Sequence, residues 1–142
     1  MTARLWLRIG LWFLTIMQGA VGLWQLFLPH SFYADAPVRS HHWVDLLPPY
    51  NEHLMRDVGE LTLAVAIVLC VAAVTLDRLL VRVGLSAYLL YTVAHFVFHA
   101  THLQAFPTGD AVGQTIALGI GVVLPAVLLP LTVRLRPRAA RL

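Results

Sequence analysis

LLVRVGLSAYLLYTVAHFVFHATH, residues 79–102, decides how the rest of the chain is read. Apart from histidines, its 24 residues carry one charged side chain, Arg82. A helix over this length reaches about 36 Å, enough to cross the hydrocarbon layer of a bilayer, which is about 30 Å thick. Three further stretches have the same character, 5–28, 54–76 and 111–133. The 142-residue chain as a whole is 59% hydrophobic and 12% charged, outside the range of soluble domains. These features predict an all-α integral membrane protein, a four-helix transmembrane bundle forming one domain over residues 1–142. The first stretch is long for a signal peptide and lacks a clear small-residue cleavage site, so it reads as a retained span.

Orientation follows from arginine, the only basic residue besides histidine. Arg4, Arg8, Arg78, Arg82, Arg134, Arg136, Arg138 and Arg141 all fall at one end of the predicted bundle, with Asp77 as the sole acid there. By the positive-inside rule that end is cytoplasmic, and both termini with it. The tail RLRPRAARL (134–142) reads as a topology determinant, and no nucleic-acid partner is expected. The other end holds Arg39 and Arg56 against Asp35, Asp45, Glu52, Asp57, Glu60 and Asp110. All seven histidines, His30, His41, His42, His53, His95, His99 and His102, belong to this extracytoplasmic half. The location expected is a cell membrane, of the bacterial inner-membrane kind, with the histidine cluster outside.

Two ladders stand out. His95, His99 and His102 are spaced i, i+4 and i+7, and so are His53, Asp57 and Glu60 in PPYNEHLMRDVGELTLAV (48–65). Such spacing puts three side chains on one helical stripe. In antiparallel neighbours, His53 would lie level with His102, Asp57 with His99, and Glu60 with His95. Ionisable groups inside a span are costly and normally face one another within the bundle. Imidazole and carboxylate together are the usual donors for iron, copper or zinc, so the leading expectation is a site for one or two divalent or redox metal ions built from all six residues. His41 and His42 could fold back to cap it, and Gln114 could orient a histidine from outside the ligand set. Asp57 or Glu60 could serve as ligand or base. Three other readings of the ladders stay open: a hydrogen-bonded lock between helices, a proton or cation path, and bis-histidine haem.

The remaining segments support packing. Thr15/Gly19 and Gln18/Gly22 in the first helix, and Thr115/Gly119 and Ala117/Gly121 in the fourth, are small or polar pairs four apart, suited to close helix contacts. Gln18 is expected to hydrogen-bond another helix. Pro125 and Pro130 are expected to bend the fourth helix. Lone Cys70 reads as a small buried hydrophobe, Trp6, Trp12 and Trp24 as lipid or packing residues, and Arg56 as snorkelling to headgroups. Within the long connection, Phe32, Tyr33, Trp43 and Tyr50 suit an interfacial belt. A short amphipathic lid is expected over 40–47, ended by Pro48-Pro49, with Asn51 capping the second helix.

Two resemblances add to this. H-x3-H-x2-H at His95, His99 and His102 resembles one histidine box of membrane fatty-acid desaturases and hydroxylases. RIGLWFLTIMQGAVGLWQLFLP (8–29), a long outer connection, then RDVGELTLAVAIVL (56–69) and a short-turned second helix pair resemble the small four-helix DoxX-like membrane proteins. The Arg56, Asp57, Gly59, Glu60 cluster is the most specific part. That resemblance implies a four-helix topology and quinone-linked or accessory-subunit roles, with a homo-oligomer or larger membrane complex as partner. Against it stands a small metal-dependent oxidoreductase or hydrolase acting on a lipid-phase substrate.

Overall fold

The computed structural model describes residues 2–47 and 49–135. Pro48 of the expected Pro-Pro stop, and Arg136, Arg138 and Arg141 of the basic tail, lie outside the described residues. Five α-helices form: α1 (Ala3–Phe27), α2 (Pro29–Asp35), α3 (Glu52–Thr75), α4 (Arg78–Ala100) and α5 (Thr108–Leu131). All except α2 are long and apolar enough to cross a membrane, α5 continuing through a 3-10 turn to Arg134. Every boundary of the long helices lies within three residues of its predicted position.

Local chemistry explains the boundaries. Asn51 accepts a hydrogen bond from the Leu54 amide through Oδ1 at 3.1 Å, so α3 starts where the cap was expected. Asp77 does the same for Leu80 at 3.0 Å and opens α4. Leu76 ends α3 in the left-handed conformation, φ 47° and ψ 34°, so only Leu76 and Asp77 link α3 to α4. A leucine there costs roughly 1–2 kcal/mol, offset by burial of its side chain, which is 5% exposed. Pro125 and Pro130 lie inside α5, which remains one continuous element through both.

The helices pack unevenly. α3 lies mainly on α1 and α4 mainly on α5, while the α3 and α4 faces share a smaller contact. The α1 and α3 backbones touch: a Cβ on Gly59 would sit 2.8 Å from the Leu26 nitrogen and 3.1 Å from the Gly22 oxygen. Of the glycines expected to pack, Gly22 does so, while Gly19 has open space around it. Gly119 and Gly121 face Phe96 and Tyr88 of α4 at ordinary contact distance. Gln18 donates to the Tyr88 hydroxyl at 3.1 Å, the interhelical bond expected of it.

Burial is segregated along the bundle axis. The apolar core, including Leu7, Leu11, Leu14, Leu69, Ala72, Ala73, Val81, Leu85 and Leu128, fills the end that carries the Leu76-Asp77 turn. Toward the other end, where α1 joins α3 through the long connection, the buried side chains include Gln25, Thr62, Thr92 and Gln114. Cys70 is only half-buried. Trp6 and Trp12 point outward, and Trp24 packs edge-on to Phe32 of α2, 5.4 Å away.

The long connection differs from expectation. Its helix is α2, at 29–35, and residues 40–47 form no helix. Instead β1 (Pro37–Val38) pairs antiparallel with β2 (His41–His42), and a turn follows. Pro29 at the first helical position favours the earlier start, and Ser31 Oγ, donating to Asp35 at 2.9 Å, holds α2 together.

The glycine contacts give a paired prediction. Gly59→Ala should lower thermal stability in detergent by about 1–3 kcal/mol, because its methyl meets backbone that cannot move aside. Gly19→Ala should leave stability unchanged or raise it, by up to about 1 kcal/mol from helix propensity. Circular-dichroism melts of the two variants check this, and equal effects would count against the close α1 and α3 crossing.

Candidate functional site

α4 presents a column of aromatic rings near its C-terminal end. Tyr91 stacks on His95 with centroids 5.7 Å apart, and His95 meets His99 edge-on at 4.5 Å. The i, i+4, i+8 spacing of these residues lines up three rings one turn apart. Both histidines are half-buried. His99 also reaches α5, where its Nδ1 lies 2.8 Å from Oε1 of Gln114. With an amide oxygen facing it, Nδ1 carries the proton, and the Nε2 lone pair is left for another partner. Gln114 is 1% exposed, so this contact is fixed in a packed interior. Its Nε2 has no hydrogen-bond partner among the described residues.

His102 does not continue the column. It lies just beyond the end of α4, where Nδ1 donates to the Phe98 carbonyl at 2.7 Å and the ring stacks on Phe98 at 4.3 Å. This is a helix-terminus contact, shared with the Thr101 hydroxyl, which donates to the same carbonyl at 2.9 Å.

The second ladder is not brought to the first. Among the described residues, no group of three or more His, Cys, Asp or Glu side chains is placed to hold a metal ion. His53 pairs with its own neighbour one turn on, Nε2 to Asp57 Oδ2 at 3.4 Å, with side chains 88% and 48% exposed. Glu60 is exposed. The cause lies in the rotation of α3. With Gly59 pressed on α1, positions 53, 57 and 60 lie about 100–160° round the helix from that contact.

Arg56 also departs from expectation. It forks onto Glu52 Oε1, with Nε at 2.9 Å and Nη2 at 2.8 Å, and donates through Nη1 to the Leu26 carbonyl. Leu26 sits in the last turn of α1, whose carbonyls have no partner within their own helix, so the guanidinium is spent there instead of reaching outward.

His41 and His42 fold back, but onto other partners. His41 Nδ1 lies 2.5 Å from Asp110 Oδ1, and Trp43 Nε1 donates to the same oxygen at 3.1 Å. The Trp43 ring rests on Gly113, where a Cβ would come within 3.2 Å of it. His42 Nδ1 donates to the Ala34 carbonyl at 2.7 Å. Asp110 is one turn from Gln114 on α5, so the anchored connection sits directly above the His99 contact along the same stripe.

Tyr91, Trp43 and Asp110 are the residues that reasoning from sequence missed. Tyr91 was detectable, four residues before His95 and eight before His99 on the same stripe. The contact of Trp43 with Asp110 joins segments far apart in the chain and left no periodic signal. No protein-family model, curated protein or solved structure matches the chain.

Proposed function

We propose that the chain is a multi-pass membrane protein that handles a transition-metal ion at His95 and His99, without itself catalysing a reaction. The observation that carries this is the position of the His99 ring, held by Gln114 at 2.8 Å and facing the His95 ring at 4.5 Å. A buried amide on one ring nitrogen is the arrangement that fixes the tautomer of a metal-binding histidine and raises its basicity. Two imidazoles favour copper or zinc. Iron loses support, because the carboxylates it would want, Asp57 and Glu60, lie on another face of α3. Two protein donors leave further coordination positions for water or an incoming ligand, which suits uptake and release better than permanent storage.

The topology proposed puts both termini and the Leu76-Asp77 turn in the cytoplasm, following the arginines, and the histidine pair near the outer face. The long connection, anchored by Trp43 on α5, then covers the outer end as a lid. A DoxX-like accessory role would have such a protein pass its ion within a larger membrane complex.

Metal content measured on purified protein tests the site. Copper or zinc bound per chain should fall to background in the His95→Ala/His99→Ala double variant and stay unchanged in Glu60→Ala. Gln114→Leu should weaken affinity about 10–100-fold. Equal metal content in wild type and the double variant would remove the proposal.

Topology is tested by labelling intact cells. In a Cys70→Ala background, Ser40→Cys should react with a membrane-impermeant maleimide from outside, while Leu79→Cys, 72% exposed at the opposite end, should react only after permeabilisation. The reverse pattern would invert the orientation.

A further inference from the structure

We infer that a groove between α4 and α5, at the end of the bundle bearing the Leu76-Asp77 turn, binds an anionic phospholipid. The groove has a volume of about 410 Å³ and is lined by Arg82, Ser86, Leu129, Pro130 and Val133. Its lining is mainly apolar, with donors at one side only. Arg82 and Ser86 lie one turn apart on α4 and supply donors, and the facing residues from the α5 side are apolar.

Arg82 is held in place. Its Nε donates to Thr132 Oγ1 at 2.9 Å, and that hydroxyl donates in turn to the Leu129 carbonyl at 2.7 Å. Thr132 is fully buried, so the arginine is tied to a fixed point of the fold. Among the described residues only Nε is engaged, which leaves both terminal nitrogens available for an anion.

The charge around the groove is one-sided. Arg78 and Arg134 lie at the same end of the bundle, and among the described residues Arg78 Nε is buried without a hydrogen-bond partner. Among the described residues the one carboxylate at this end, Asp77, accepts from the Leu80 amide through Oδ1 as the α4 cap. A cation beside an apolar wall, with no carboxylate on it, calls for an anion that continues into an apolar chain. A phosphodiester suits the guanidinium fork, and an acyl chain suits Leu129, Pro130 and Val133. Basic pockets between helices on the cytoplasmic side of a bilayer bind such headgroups generally.

The inference rests on the reading of α4 and α5 as membrane-crossing helices but not on the histidine pair, so failure of the metal experiment leaves it standing. Inverted labelling would move the lipid to the other leaflet without removing it. Native mass spectrometry of the full-length chain in mild detergent tests the site, with phosphatidylglycerol and phosphatidylcholine of identical acyl chains added in turn. Phosphatidylglycerol should be retained about tenfold better, the scale of one charge-assisted contact. Arg82→Gln should reduce it to the phosphatidylcholine level, Arg82→Lys should retain part of the preference, and Arg39→Gln should change nothing. Val133→Trp fills the groove while leaving the Arg82 contact with Thr132 in place, and should also abolish retention, so it decides the matter if Arg82→Gln fails to fold. Equal retention of the two lipids, retention in Val133→Trp, or displacement by millimolar inorganic phosphate would overturn the inference.

Discussion

Backbone meets backbone where Gly22 of α1 faces Gly59 of α3, and the rest of the arrangement depends on that contact. Between helices that are apolar over most of their surface, burial of hydrocarbon supplies little preference for one face over another. Close approach of small residues does, because it brings many atom pairs into van der Waals range and tolerates no side chain between them. Once Gly59 is committed to α1, the rotation of α3 about its own axis is fixed. Asp57 and Glu60 then turn away from the first helix and find their partners locally or in solvent. The choice made by a residue with no side chain thus determines where the ionisable ones can go.

The two ends of the bundle are built on different principles. Leucines and alanines interdigitate around the Leu76-Asp77 turn, whereas amides, hydroxyls and imidazoles occupy the interior toward the long connection. Polar groups enclosed among helices need partners, and most have them: Thr62 bonds its own helix at the Val58 carbonyl, and His99 bonds Gln114. The connection adds a second layer, since Trp43 and His41 share one carboxylate oxygen of Asp110. Its attachment is thus directional, not merely a matter of covering apolar surface.

Much of the fold was legible in the chain, and less of the site. Helix positions follow from length and hydropathy, which are properties of one segment at a time, and Asn51 announces the start of α3 by chemistry contained within three residues. The interhelical role of Gln18 and the pairing of Gln114 with a histidine were legible because a polar side chain within an apolar helix has few places to go. The matching of the two ladders failed for a different reason. Equal spacing on α3 and α4 defines a stripe on each but not the direction in which either stripe faces, and that direction was decided by α1. His102 looked like a third rung because it keeps the spacing, but α4 ends two residues before it, and a ring beyond the helix end has a carbonyl nearer than any ladder partner. The docking of Trp43 and His41 on Asp110 depends on how an irregular connection folds, which no periodicity records.

The link between α3 and α4 has only two residues, and each already has an assignment, Leu76 as the left-handed end of one helix and Asp77 as the cap of the next. Sliding one helix past the other by a single turn would demand about 5.4 Å of slack, which such a link does not contain. The pair therefore behaves as a two-pronged fork with fixed tines. An axial slide of α3 against α4 is thereby barred, and the histidine pair on α4 keeps its level relative to α3.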